Sequence, residues 1–186
     1  MNKILIFMAD GVEEVEALTV VDLLRRQKCD IDMVTINDSR LVTGSHNIIF
    51  SADKSITEAD LGSYDVLVIP GGLKGTQNLK QEPVVLNTIR DFDAAGKLIC
   101  AICAGPTVLA AAGITNGRNI SSYPGTEEDL NGGIPHPEKE VSVDGNIITS
   151  RGLGTAIPFA LSIIEYLFGK EAAEEMQKKI VYNVTG

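Results

Sequence analysis

The chain has 186 residues, of which 44% are hydrophobic and 22% are charged, and its formal net charge is −9. A chain of this length and composition is expected to fold as one globular domain over residues 1–186, and disorder is not expected. The basic residues are scattered along the chain, so the clustered positive charge of a nucleic-acid-binding protein is missing. We therefore expect no nucleic acid among its partners.

The N-terminal segment MNKILIFMADG contains an apolar run that is too short for a signal peptide and is not followed by a small-residue cleavage site. Elsewhere no window approaches the roughly 18 uninterrupted apolar residues of a membrane-spanning helix. The sequence therefore predicts a cytoplasmic protein without membrane association.

In the first half of the chain, apolar runs bounded by turn residues alternate with amphipathic segments, which is typical of βαβ units. The runs predict strands at 3–9, 30–37 and 64–72 and helices at 13–27 and 82–95. Between the second and third of these strands, residues 38–57 are predicted to form an irregular or hairpin excursion, in which 47–53 is the only strand-like piece. Alternate residues of that piece are a candidate dimer contact, although packing within a monomer explains them equally well.

The second half continues the alternation. It predicts a strand at 97–103, a helix at 104–113, a further strand within 119–124, a hairpin at 141–150 with an Asp144–Gly145 turn, and helices at 154–169 and 170–180. The expected fold class is α/β, with an open, mostly parallel sheet covered by helices on both faces. Such sheets bind ligands beyond the carboxyl ends of their strands.

The cysteine content argues against a disulfide framework, since Cys29, Cys100 and Cys103 make an odd count in a chain without a secretion signal. At least one thiol is therefore free. The two histidines, His46 and His136, are distant in sequence from the cysteines and from each other. A zinc site needs about four N, S or O ligands close together, so no metal site is predicted.

Cys103 lies where a buried strand is predicted to turn directly into a helix, a sharp elbow that presents the side chain above the sheet. The N-terminal amides of that helix would favour the thiolate. The alternative is that Cys103 is a small buried apolar residue, and for Cys100, inside the strand, that interpretation is preferred. The C-x-x-C spacing is therefore not expected to form a working dithiol.

Three carboxylates, Glu13, Glu14 and Glu16, occur at the start of the first predicted helix, where the helix dipole favours negative charge. For Glu13 and Glu14 this explanation is sufficient. Glu16 precedes the apolar face of the helix and is expected to turn inward over the strand ends, where burial would raise its affinity for a proton.

Gly71 and Gly72 follow the third long strand, where glycine permits a tight turn and a close approach of the backbone. We expect the amide of Gly72 and the amide of Ala104 to converge on a developing oxyanion near Cys103.

Five motifs, ADGVEEVEA, DVLVIPGG followed by GTQNL, AICAGPTVLA, NGG and TSRGLGT, occur in this order from residue 3 to about residue 170. Together they resemble the ThiJ/PfpI superfamily, in its DJ-one branch. The combination is specific because the motifs occur in order at compatible spacing. The resemblance implies a flavodoxin-like three-layer sandwich, a homodimer, and a pocket in which an oxidisable cysteine lies beside a protonated glutamate.

Matched residue by residue, Cys103 resembles the family's oxidisable cysteine and Glu16 its glutamate. Gly72 and Ala104 match the anion-binding amides, and Arg151 in TSRG matches the arginine that neighbours the pocket. The resemblance implies no cofactor and no resident metal.

The sequence departs from the branch at the expected histidine. Ile134 stands directly after NGG, and His136 follows two residues later between prolines, so His136 is a candidate only if its ring reaches the Cys103 sulfur. The protease-like branch carries a histidine where this chain has Ala104, and a cysteine peptidase needs a base within hydrogen-bond reach, so peptidase activity is not expected. A class I glutamine amidotransferase is not expected either, because Ala101 replaces its glycine and the downstream His-x-Glu pair is missing.

The leading interpretation is a cofactor-independent glyoxalase or deglycase-type enzyme that acts on reactive carbonyls such as methylglyoxal or on glycated adducts, in the context of oxidative and carbonyl stress. Cys103 would add to the aldehyde, the Gly72 and Ala104 amides would hold the oxyanion, and Glu16 would move protons. The alternative is a non-enzymatic redox sensor or chaperone, in which Cys103 is oxidised to the sulfinate. Both use the same residues, so the choice stays open.

Overall fold

The computed structural model describes residues 2–183, and within them eleven strands occur in chain order. They are β1 (Lys3–Met8), β2 (Asp30–Thr35), β3 (Leu41–Thr43), β4 (Ile49–Ser51), β5 (Lys54–Ser55), β6 (Val66–Ile69), β7 (Leu98–Ile102), β8 (Asn119–Ile120), β9 (Ile134–Pro135), β10 (Val141–Asp144) and β11 (Ile147–Ser150).

The same part of the chain contains six α-helices and three short 3-10 turns. The helices are α1 (Glu14–Arg26), α2 (Leu73–Gln81), α3 (Pro83–Ala94), α4 (Pro106–Ala112), α5 (Ala156–Phe168) and α6 (Lys170–Lys179). The 3-10 turns are Leu61–Ser63, Glu127–Leu130 and Leu153–Thr155. None of the helices within residues 2–183 combines the length and the apolar character needed to cross a bilayer. The cytoplasmic location stays a prediction.

Seven strands form the central sheet in the order β10-β11-β7-β6-β1-β2-β5. Only the β10–β11 pair is antiparallel, so the sheet is mostly parallel as the βαβ pattern predicts. The predicted α/β class with a covered, mostly parallel sheet is confirmed. Two small pairs lie outside this sheet, the antiparallel β3–β4 hairpin and the parallel β8–β9 pair.

The sheet divides the apolar core into two layers, because successive strand residues point to opposite faces. In β1, Ile4 and Ile6 pack with α1, α5 and α6, whereas Leu5 and Phe7 pack with α3 and α4. All four side chains are fully buried. Helices thus cover both faces, giving three layers.

Most predicted elements are present within a few residues of their expected ends. Helix α2 is not predicted by the sequence, and neither are the short strands β3, β5 and β9. The expected strand within 119–124 is only Asn119–Ile120, and it pairs with β9 instead of joining the central sheet. The hairpin turn consists of Gly145 and Asn146, since Asp144 still pairs with Ile147.

Candidate active site

The functional candidates lie where strands β1, β6 and β7 end at the same edge of the sheet. A cavity of about 400 Å³ opens there. Its lining contains charged, small and apolar side chains, namely Glu13, Glu16, Ser45, His46, Gly72, Leu73, Cys103, Ala104, Tyr123, Thr126 and Leu153. The structure therefore brings together four of the predicted residues, Cys103, Glu16, Gly72 and Ala104.

Cys103 forms the elbow between β7 and α4. Its φ of +63° is in the left-handed region, which costs energy for a residue with a side chain and is common at functional sites. Two backbone hydrogen bonds hold the turn: the Cys103 amide donates to the Ser150 carbonyl at 2.9 Å, and the Tyr123 amide donates to the Cys103 carbonyl at 2.8 Å. The sulfur is partly exposed to the cavity while the backbone is fixed.

Cys100 occupies a different environment, although only two residues separate it from Cys103. It lies inside β7, its side chain is fully buried in the core, and burial raises its thiol pKa well above the usual value. Cys29, Cys100 and Cys103 are all free thiols. The placement of Cys100 is that of a small apolar core residue.

The turn after β6 brings Gly71 and Gly72 against the thiol. A side chain at Gly71 would overlap the Glu16 carboxylate and would come within 2.9 Å of the Cys103 sulfur. Gly72 has a φ of +93°, and a side chain there would overlap the Gly11 carbonyl. Glycine is therefore required at both positions for the strand ends to approach this closely.

Glu16 lies on α1 with only 1% of its surface exposed. Its Oε2 accepts a hydrogen bond from the Gly71 amide at 3.1 Å, and its carboxyl group also hydrogen-bonds to the Cys103 thiol. Burial, with a smaller contribution from the charge of Glu13, raises the pKa of Glu16 to about 7, although the hydrogen bonds from Cys103, Gly71 and Leu153 act in the opposite direction. The inward turn predicted for Glu16 is therefore present, with the expected direction of its pKa.

The thiol of Cys103 is subject to opposing influences. Burial is the largest, the Glu16 carboxylate adds to it, and together they raise the pKa of Cys103 to about 12. The amides of Gly72 and Ala104 point at the sulfur and lower the pKa, as the sequence analysis expects. Because Glu16 protonates near neutrality, its repulsion of the thiolate disappears in the protonated form, and the two amides then favour the thiolate.

Two predicted site residues are not part of the cavity lining. The His136 ring hydrogen-bonds to Asn119 Oδ1 at 2.8 Å and to Glu138 Oε1 at 2.9 Å, next to the β8–β9 pair. The candidate role of His136 beside Cys103 is therefore corrected, since both ring nitrogens are engaged elsewhere. Arg151 follows β11 and is half-buried, and its Nε has no hydrogen-bond partner among residues 2–183.

The histidine that lines the cavity is His46, which no motif in the sequence indicates. It lies in the turn between β3 and β4, and no signal in the sequence links that turn to Cys103. The buried Glu14 carboxylate holds the turn, because its Oε1 accepts from the His46 amide at 2.8 Å and from the Ile48 amide at 3.4 Å. A side chain at Gly44 would overlap Glu14.

Glu14 therefore does more than complement the helix dipole. Burial alone would raise its pKa, but hydrogen bonds from its own backbone, His46 and Ser45 outweigh burial and lower the pKa to about 2. Glu14 stays ionised at neutral pH. Within residues 2–183, Glu13, Glu14 and His46 are also the one group of three potential metal ligands, with ligand atoms within 4.8 Å of one another.

Comparison with known proteins identifies the family of the chain. The sequence pattern of the DJ-1/PfpI family matches residues 2–166 of this chain. The Parkinson disease protein 7 homolog of Danio rerio is 37% identical over 97% of both chains. The glutathione-independent glyoxalase DJ-1 of Schizosaccharomyces pombe is 31% identical, covering 97% of this chain and 98% of its own.

Among solved structures, oxidized DJ-1 of Toxoplasma gondii is 32% identical and superimposes with a TM-score of 0.94, covering 99% of this chain and all of the other. The family pattern covers most of the chain, the relatives are similar along nearly its whole length, and the fold is shared. This chain is therefore a member of the DJ-1/PfpI family.

Proposed function

We propose that the protein is a cysteine-dependent, cofactor-independent glyoxalase or deglycase-type enzyme that converts small reactive carbonyls such as methylglyoxal, or their glycated adducts. The observation that carries the proposal is the left-handed elbow at Cys103, whose sulfur faces a cavity, hydrogen-bonds to the buried Glu16 and receives the Gly72 and Ala104 amides. The glyoxalase named among its relatives supports the same assignment.

The proposed reaction begins when the Cys103 sulfur adds to the aldehyde carbon and forms a hemithioacetal. The Gly72 and Ala104 amides, which already point at the sulfur, would stabilise the negative oxygen that develops beside it. Glu16 would donate a proton to that oxygen. Moving the carbon-bound proton of the former aldehyde carbon to the neighbouring carbon, and its hydroxyl proton to the neighbouring oxygen, gives a thioester. Water then releases lactate and the free thiol.

The test is lactate formation from methylglyoxal by the purified protein without added glutathione. Wild-type protein is expected to form lactate, Cys103→Ala to form none, and Cys100→Ala to keep the activity, because Cys100 faces the core. Equal rates for wild type and Cys103→Ala would refute the proposal.

A second candidate function is redox sensing through the same thiol. It is favoured by the hydrogen bond between Glu16 and Cys103, since a protonated carboxyl group can donate to the oxygens of a sulfinate, and the Toxoplasma gondii relative is described as oxidized. Intact mass after mild peroxide separates the two functions. Addition of two oxygens at Cys103 in a protein that forms no lactate would favour the sensor.

We also propose a homodimer. One side of α1 forms a groove of about 680 Å³ with the β3–β4 turn and the C-terminal segment, and aliphatic side chains lie there among charged ones. Its lining includes Val15, Leu18, Ile48, Ile157 and Ile180, and about half of the Val15 and Ile48 surface is exposed. Exposed aliphatic side chains gathered in one groove are typical of an interface, and a second copy is the occupant we propose.

A further inference from the structure

His46 is held at the cavity by three polar neighbours. Its Nδ1 is 2.9 Å from Ser45 Oγ, 3.3 Å from Glu14 Oε2 and 3.4 Å from Glu13 Oε2. Glu14 is buried and Glu13 is mostly buried, whereas 71% of the His46 side chain is exposed. The ring is therefore anchored at one nitrogen and open at its other side.

The hydrogen-bond donors and acceptors around Nδ1 determine which nitrogen carries the proton. Ser45 has one hydroxyl hydrogen, which it donates to Glu13 Oε2 at 2.7 Å, so Ser45 Oγ faces His46 as an acceptor. The Glu13 and Glu14 carboxylates are acceptors as well. Nδ1 must then be the donor, which leaves the lone pair of the neutral ring on Nε2.

Nε2 has no hydrogen-bond partner within the described part of the chain, whereas both ring nitrogens of His136 are engaged. A carboxylate that orients Nδ1–H and frees Nε2 is the arrangement in which histidine serves as a general base. Glu16 is already engaged with the Cys103 sulfur and the Gly71 amide. A second proton-transfer group on the cavity wall is therefore available for a different step.

We propose that His46 is the base that moves the carbon-bound proton in the cavity of Cys103. This inference rests on the proposed function. In the hemithioacetal of methylglyoxal, His46 Nε2 takes the proton of the former aldehyde carbon. The electron pair of that C–H bond forms the carbon–carbon double bond of an enediol, and the π pair of the neighbouring carbonyl moves onto its oxygen, which takes a proton from water. The proton on His46 then passes to that neighbouring carbon, which becomes the alcohol carbon, while the hydroxyl group on the sulfur-bound carbon returns a proton to water and becomes the thioester carbonyl. Water hydrolyses the thioester, and no external oxidant or reductant is consumed.

The test compares His46→Ala with His136→Ala, the matched substitution at the other histidine. His46 is largely exposed, so its replacement should leave the fold intact, which unfolding curves would verify. We expect His46→Ala to reduce kcat about a hundredfold with KM changed less than about threefold, and His136→Ala to keep the wild-type rate. Added imidazole should restore part of the His46→Ala rate.

A second experiment measures whether the hydrogen on the alcohol carbon of lactate comes from solvent. A base as exposed as His46 exchanges its proton with solvent, so lactate made by wild type in D2O should carry deuterium on the alcohol carbon. A product with only protium there would indicate direct hydride transfer and would overturn the role of His46. Wild-type rates in His46→Ala would overturn it while leaving the proposed function intact, whereas no lactate from wild type would refute both.

Discussion

At the scale of single residues, the site contains two acids that share one buried environment. Glu16 and Cys103 hydrogen-bond to each other, and burial disfavours the charged form of both. One negative charge can be accommodated by the Gly71, Gly72 and Ala104 amides, but two would repel at contact distance. Because the pKa of Glu16 is about 7 and that of Cys103 is about 12, the pair holds one proton above neutral pH and binds a second as the pH falls below about 7. The form with one proton is the state that thiol addition to a carbonyl needs.

Glu16 should make the protein less stable as pH rises. Its pKa is about 7 in the folded protein and near 4.5 when exposed, so between these values the folded state binds a proton that the unfolded state has released. The free energy of unfolding should then fall by about 3 kcal/mol across this range. Glu16→Gln should remove that slope and be the more stable protein above a pH of about 7.

Urea unfolding at several pH values, with wild type and Glu16→Gln side by side, measures this difference. In wild type the Cys103 thiol stays protonated over this range because its pKa is about 12, so the difference between the two curves below a pH of about 7 reports Glu16. A wild-type curve that runs parallel to the Glu16→Gln curve over the whole range would contradict the expected pKa.

The sequence identified some site residues and not others for physical reasons. Cys103 and Glu16 can be identified from the sequence because both lie close to the predicted end of a strand and within motifs of the family that the chain resembles. His46 is brought to the cavity by the β3–β4 hairpin and by the buried Glu14, which are contacts between distant segments. His136 has a motif position but is fixed by Asn119 and Glu138. Only tertiary structure distinguishes these two histidines.

At the scale of elements, the turn between β6 and α2 determines how closely the thiol and the carboxyl group approach. Helix α2 was missed because its sequence, LKGTQNLKQ, is mostly polar and has a glycine near its start. That glycine, Gly75, allows the helix to pack on the loop after β1, where a side chain would come within 2.8 Å of the Val12 amide. Close packing on that loop therefore contributes to the stability of this helix.

Gly71→Ala should disrupt the site without unfolding the protein. The added methyl group would overlap the Glu16 carboxylate and lie 2.5 Å from the Cys103 Cβ, so the two side chains must separate. We expect a loss of about 1–3 kcal/mol of stability and at least a tenfold slower alkylation of Cys103 by iodoacetamide. Gly154→Ala is the control, because a side chain there meets no atom within 4 Å. Equal alkylation rates in the two variants would show that the turn does not set the geometry of the thiol.

At the scale of the whole molecule, a rigid two-sided core supports a cavity built almost entirely from loops. The strands beneath the cavity are fully buried, as β6 and β7 show along their length. Most of the site lies on the connections after β1, β6, β7, β8 and β11 and on the β3–β4 turn, and helix α1 adds Glu16. This division explains why the fold class was predictable from apolar periodicity, whereas the cavity lining depended on loop contacts.

The proposed dimer gives a prediction about mass. Light scattering with size exclusion should give twice the 19.9 kDa chain mass for wild type. Val15→Asp, which places a charge in this groove, should shift the protein to the monomer. Its free energy of unfolding should change by no more than about 1 kcal/mol. Val143→Asp is the matched control, because Val143 is similarly exposed but lies on β10, away from the groove. A monomeric wild type would refute the dimer.

Cys100 and Cys103 should react with a thiol reagent at two very different rates. The cavity thiol is open in the native state, so a disulfide reagent can reach it without any opening of the core. The strand thiol is fully enclosed in the central sheet, so the same reagent reaches it only when β7 separates from its neighbours. In a Cys29→Ala variant, which keeps only these two thiols, the fast reaction therefore reports the chemistry of the site and the slow one reports openings of the whole fold, in a single sample.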